Sequence, residues 1–240
     1  MKTDEFDSII FDCDGVLIDV TKSYDTTINK TISYVLKEIA DITVDTPLAN
    51  EILLKFKSTG GFNDEIDITY SGILCFIAAE KLNKNPTELI SEVLDNADDS
   101  GIVYAENFLN KINVDISDVK ARLGYPSTDK NDLIHATFDQ LFFGPELYNK
   151  IFQKKSNFSE KGFIENDNVI VNSELIEALK KKFNDKIAIV TGRGFNAISS
   201  SLKEILNQFN VENSVFLEDE QKSSIQKVYP SSLLVEMGQH

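Results

Sequence analysis

Two aspartates, Asp12 and Asp14, stand two residues apart at the end of a short apolar run and directly before Gly15. If that run is a strand, the chain leaves the sheet at Asp12 and both carboxylates can face one site. In open α/β sheets, ligands bind outside the carboxyl ends of the strands. A first carboxylate placed there can attack phosphorus and form an aspartyl-phosphate. A second on the same loop can protonate the leaving alcohol and then activate water. Another group with chemical potential, Thr191-Gly192-Arg193, follows a second apolar run. A hydroxyl and the following main-chain N–H groups at a strand-to-helix turn can hold a phosphate oxygen. Arg193 reads either as a clamp on the substrate or as a solvated residue at a helix start.

The elements that must position these residues are short. Residues 8–11 (Ser-Ile-Ile-Phe), 187–190 (Ile-Ala-Ile-Val) and 214–217 (Ser-Val-Phe-Leu) are apolar, and each is followed by polar, acidic or glycine-bearing text. Runs of this length and branching predict buried strands. Ile198, Leu202, Ile205 and Leu206 recur at helical spacing between the second and third. Asn172 predicts the capped start of a helix that runs to about residue 183. Strand, helix, strand, helix, strand predicts a parallel sheet with right-handed crossovers. The middle of the chain has helical periodicity instead. Ile28, Ile32, Val35, Leu36 and Ile39 mark one amphipathic face, and further helices are predicted over 49–57, 68–82, 86–94, 103–112 and 131–142, with another starting at Pro145. The expected architecture is thus α/β: a Rossmann-like parallel-sheet core (1–20 and 163–240) interrupted by a helical insertion (21–162).

Taken as a string, Asp12-Cys13-Asp14-Gly15-Val16-Leu17-Ile18-Asp19 resembles the first signature of the haloacid dehalogenase superfamily, in a form close to subfamily IA. The resemblance implies Asp12 as nucleophile and Asp14 as general acid/base. It also implies Mg2+ held by the Asp12 carboxylate and the Asp14 main-chain carbonyl. An aspartate at position 14 implies phosphate chemistry, since the dehalogenase branch lacks it. Thr191 answers to the second signature, and Gly15, Gly192 and Arg193 complete the implied substrate-binding loops. The third signature is a lysine beyond the third strand. Lys227-Val228-Tyr229-Pro230 is similar to the family's Lys-Pro-x-Pro with valine for the first proline, and Lys222 competes for the role. The activity implied is Mg2+-dependent hydrolysis of a small phosphorylated metabolite through an aspartyl-phosphate. A phosphomutase would use the same Asp12 and Asp14.

The helical insertion is similar to the α-helical, C1-type cap of this superfamily, which closes over the active site and selects the substrate. Its most loop-like string is Lys57-Ser58-Thr59-Gly60-Gly61-Phe62-Asn63-Asp64, and the Gly-Gly-Phe-Asn within it resembles an element of one subgroup of these hydrolases. Gly60, Gly61, Phe62 and Asn63 read as substrate contacts, or equally as a helix-to-helix turn with a packed phenylalanine. A fourth signature, a strand ending in Gly-Asp or paired acids, has no counterpart between Lys227 and His240. The loop of Glu218, Asp219 and Glu220 follows a strand that the family's sheet order would set two places from the first, nearly 10 Å away at about 4.8 Å per spacing. Magnesium binds oxygen at about 2.1 Å. The expectation is therefore a chain that stops before its last metal-binding segment, either an impaired enzyme or a binding protein on the same fold. The first strand would then be an edge open to pairing with another chain.

The composition is compatible with all of this. A chain of 240 residues with 42% apolar and 26% charged content can bury a core without staples, and Cys13 and Cys75 fit no bridge or zinc pattern. A net charge of −15 opposes nucleic-acid binding. It leaves room for a small phosphorylated ligand, which one or two local cations can hold. The acidic start lacks a signal peptide's apolar stretch and no run approaches a membrane span, so a cytoplasmic protein is expected. His135 lies within a helical pattern and reads as structural.

Overall fold

The computed structural model describes residues 6–62, 64–126 and 131–222. The chain divides into two compact units, one drawn from Met1–Asp19 and Asn168–His240, the other from Val20–Asp167.

The first unit is α/β. Strands β1 (Ile9–Phe11), β4 (Ile187–Thr191) and β5 (Val215–Phe216) form a parallel sheet in the order β1-β4-β5. Ile9 pairs with Ile187 and Phe11 with Ile189, while Thr191 pairs with Phe216. Because the strands are parallel, the loops after β1, β4 and β5 leave the sheet at the same end. The third core strand lies two places from the first, as the family resemblance implies. Helix α8 (Ser173–Lys182) starts where expected, with the Asn172 side chain accepting from Glu174 N at 2.7 Å. Helix α9 (Phe195–Leu202) is shorter than its periodicity suggests, because the chain tightens into a 3-10 turn over Lys203–Gln208 that still buries Leu206. Helix α10 (Leu217–Lys222) follows β5 directly. A two-residue antiparallel pair, β2 (Ile18–Asp19) with β3 (Asn168–Val169), was not legible as strand and sets the outgoing and returning chain side by side. Such short strands carry too little alternation to detect.

The second unit is helical: α1 (Thr21–Ala40), α2 (Asn50–Ser58), α3 (Glu65–Leu82), α4 (Pro86–Leu94), α5 (Ile102–Lys111), α6 (Ser117–Leu123) and α7 (Leu133–Phe152). Helix α3 is its centre, packed on α1, α4, α5 and α7. Residues 66, 68–79 of α3 are buried on every face, as expected of a helix apolar all round. Helix α1 contributes Ile28, Ile32, Val35 and Leu36 to that core. Helix α7 is broken at Gly144 (φ 69°, ψ 170°), so a new helical segment begins at Pro145 as predicted. The 3-10 turn Phe163–Asn166 packs on α1 and α7, and Ser23 Oγ donates to Asp167 Oδ1. Residues 163–167, which the sequence reading gave to the core, therefore belong to the helical unit. No helix among the described residues is long and apolar enough to cross a membrane.

Candidate active site

The loop after β1 is a tight turn built on buried anchors. Cys13, Leu17 and Ile18 are buried, and the Cys13 carbonyl accepts from Leu17 N at 2.8 Å and Ile18 N at 3.1 Å. Gly15 donates to the Ile18 carbonyl at 2.8 Å with φ +74°, a conformation side chains other than glycine's rarely adopt. This turn leaves Asp12 exposed at the strand end, its Oδ1 accepting from Cys13 N at 2.6 Å. Asp14 sits two residues on, half-buried and bridged to Ile18.

The loop after β4 lies one strand over. Thr191 is buried, and its Oγ1 accepts from Arg193 N at 3.3 Å. Gly192 is exposed. Arg193 is the joint between the two loops. Its Nε stands 3.0 Å from Asp14 Oδ1 and 3.1 Å from Oδ2, and its Nη1 donates to Ser201 Oγ on α9 at 3.4 Å. With its side chain only 5% exposed, against 32% for Asp14, it is not a solvated helix-start residue. Arginine and aspartate so placed form an ion pair, and loss of Asp14 would take a charged partner from a buried guanidinium.

The first turn of α10, directly after β5, completes the arrangement in a way the sequence did not disclose. Glu218 Oε2 accepts from Gly194 N at 3.0 Å, Asp219 Oδ2 accepts from Phe195 N at 2.6 Å, and Glu218 N donates to the Gly192 carbonyl at 3.2 Å. Helix α9 starts at Gly194 with no side-chain cap of its own, so its first amides need outside acceptors. Anionic side chains are also favoured at a helix N-terminus. Glu218 and Asp219 are therefore capping residues, and the amides of 193, 194 and 195 already have partners within the chain. The signal that could have shown this was a helix start without Ser, Thr, Asp or Asn, followed a strand later by paired acids.

No protein-family model matches the chain, and no curated protein matches it in sequence. Solved structures do. A phosphatase from Thermococcus thioreducens, Tt82, superposes with a TM-score of 0.59 at 23% identity, over 87% of this chain and 72% of its own. An X-ray structure of a Northeast Structural Genomics Consortium target superposes with a TM-score of 0.61 at 17% identity, over 90% of this chain and 71% of its own. The chain shares its fold with these two structures.

The parallel core brings Asp12, Asp14, Thr191, Gly192 and Arg193 to one end of the sheet. Lys227 lies outside the described residues, and Lys222 is described only as the last residue of α10. Among the described residues, no cluster of three or more His, Cys, Asp or Glu could hold a metal ion. The donors on the β1 loop nonetheless suit a hard cation: an exposed carboxylate at Asp12 and a main-chain carbonyl at Asp14. Magnesium commonly takes one or two such protein oxygens and keeps several waters.

The string from the helical unit packs in part within that unit. Phe62 is 2% exposed and meets Phe56 edge-on at 5.0 Å between ring centres. A Cβ on Gly61 would lie 2.5 Å from the Asp98 carbonyl oxygen and 2.6 Å from Gly101 N, so this glycine permits main-chain contact between two loops. This is the geometry of a helix-to-helix turn with a packed phenylalanine. Gly60 is exposed, and Asn63 lies outside the described residues. Nearby, Tyr70 OH donates to Glu106 Oε1 at 2.6 Å, and Lys120 donates to Glu106 Oε2 at 2.6 Å. Tyr125 OH donates to Asp67, whose carboxyl is pushed above its ordinary range chiefly by burial. His135 Nδ1 is 2.7 Å from Asp132 Oδ2, with the ring beside Tyr125, a structural setting of the kind its position in the sequence suggests.

Proposed function

We infer that the chain is a phosphatase acting on small phosphomonoesters, with Asp12 as nucleophile and Asp14 as general acid/base. The observation that carries this reading is the adjacency of β1 and β4. It sets the exposed Asp12 carboxylate and the Asp14 loop beside the Thr191–Arg193 loop, the two joined by the Asp14–Arg193 pair. The likeness in fold to the phosphatase Tt82 supports it.

In the first step an Asp12 oxygen attacks phosphorus and the ester P–O bond breaks. An alkoxide leaving group needs a proton from Asp14, whereas an aryloxide departs readily as the anion, so aryl esters suit the site as an assay. In the second step water attacks the aspartyl-phosphate while Asp14 takes its proton, releasing phosphate and restoring the Asp12 carboxylate. Asp12 and the Asp14 carbonyl would hold Mg2+, which when bound offsets the negative charge of phosphate and nucleophile. Buried Thr191, at the strand end, would receive a phosphate oxygen through its hydroxyl.

The test is hydrolysis of a generic aryl phosphate, with Mg2+ and with chelator, by the chain and its Asp12→Asn variant. The expected result is metal-dependent turnover that vanishes in a variant with an unchanged circular dichroism spectrum. Equal turnover by the two proteins would remove Asp12 from the mechanism. Absence of turnover in both would move the function from catalysis to binding.

A further inference from the structure

The chain has 24 basic residues, and only two are arginines, Arg122 and Arg193. Arg122 is exposed, with Nη1 donating to the Ile39 carbonyl at 2.6 Å. Arg193 is buried, and its side chain joins Asp14 on the β1 loop to Ser201 on α9. Its main-chain N–H donates to Thr191 Oγ1, its Nε donates to Asp14 Oδ2 and stands 3.0 Å from Oδ1, and its Nη1 donates to Ser201 Oγ, which in turn donates to the Ala197 carbonyl at 3.2 Å. A rigid planar cation is thus fastened at one end to α9 and at the other to the Asp14 carboxylate. Lysine, a flexible point charge, cannot hold both ends in one geometry.

We propose that Arg193 is a positioning residue that clamps Asp14, and with it the Asp12–Gly15 loop, to α9. This differs from a role in gripping substrate, for which a side chain 5% exposed and already paired is poorly placed. Its kinetic consequence rests on the phosphatase reading; its structural consequence does not. The clamp fixes where the Asp14 carboxylate stands relative to Asp12, and misplacing a catalytic group by about 1 Å costs roughly 100-fold in rate.

Two measurements on the full chain separate these roles. With an aryl phosphate and Mg2+, Arg193→Ala and Arg193→Lys should each lower kcat by about 100-fold, with KM changed by less than about threefold. Guanidinium in the buffer should restore part of the kcat of Arg193→Ala only. A rise in KM at constant kcat would make Arg193 a substrate contact and overturn the proposal. The second readout needs no activity. With 15N-labelled arginine the chain should give two Nε–H signals, that of Arg193 exchanging slowly with water and that of Arg122 fast. Asp14→Asn, which keeps the side chain's shape and removes its charge, should speed Arg193 exchange and shift its signal. An Arg193 signal indifferent to Asp14→Asn would overturn the clamp. If the wild-type chain shows no turnover, the phosphatase reading fails, and this second measurement alone decides whether the clamp exists.

Discussion

Replacing Gly101 by alanine should cost the helical unit a large part of its stability, by an amount that can be divided between two causes. Gly101 precedes α5 with φ 56° and ψ −115°, a region that only glycine enters freely. Holding another residue there costs about 1–3 kcal/mol. The new Cβ would also lie 2.0 Å from the Gly61 carbonyl oxygen, a main-chain atom that no rotamer change can move away. Forcing the two loops apart adds about 1–3 kcal/mol. The sum, about 4 kcal/mol, is a serious loss for a domain whose whole stability is about 5–15 kcal/mol. Two other glycines isolate the parts. Gly60 has φ +79° but nothing within 4 Å of its absent Cβ, so Gly60→Ala pays only the conformational cost, about 1–2 kcal/mol. Gly61→Ala pays only the contact, at 2.5 Å from the Asp98 carbonyl and 2.6 Å from Gly101 N. Urea unfolding followed at 222 nm reads out the difference. At a slope of about 2 kcal/mol per molar, the midpoint should fall by about 2 M for Gly101→Ala and about 0.5–1 M for Gly60→Ala, with unchanged slope. A Gly101→Ala midpoint no lower than that of Gly60→Ala would refute the close main-chain contact between the two loops.

Burial raises the Asp67 carboxyl above its ordinary 3.8, so the folded chain keeps a proton that the unfolded chain releases as pH rises. Stability should therefore decline with rising pH from about 3.8 up through the raised value. Asp67→Asn, which retains an acceptor for Tyr125, should flatten that decline. Urea midpoints taken from pH 4 to pH 7 with equal slopes in both proteins would contradict this. The thiols of Cys13 and Cys75 are both fully buried, and burial pushes that of Cys75 up to about 12. Ellman's reagent should accordingly label neither thiol in the native chain over minutes and both in urea. Rapid native labelling at either position would show that the packing around it opens.

The fold was legible wherever one local pattern recurred over several residues. The three core strands could be read from short β-branched runs ending in polar text, and the start of α8 from the Asn172 cap. Helix α3 could be read from an apolar stretch, and the break before Pro145 from proline itself. What escaped was short or depended on distant neighbours. The β2–β3 pair spans two residues on each side, too few for a period. The tightening of the chain after Leu202 reflects packing that still buries Leu206 without continuing an α-helix. The Gly-Gly-Phe string admitted two readings because glycine pairs serve close approach to ligand and to main chain equally. The close approach of Gly61 to Gly101 depends on a residue forty positions away and could not be read locally.

By itself the sequence determined the chemistry on offer: paired aspartates after one strand, a threonine and an arginine after another, in a chain of net charge −15. It determined, too, the alternation of strand and helix that makes a parallel core, because hydrophobic periodicity is a local property. Tertiary structure alone decided which of those groups meet. Asp14 and Arg193 are 179 residues apart along the chain, yet form an ion pair because β1 and β4 become neighbours. Glu218 and Asp219 cap α9 because β5 pairs with β4 on its other side. Charge and hydrogen-bonding capacity are written residue by residue. Their partners are fixed only when strand order closes the distance.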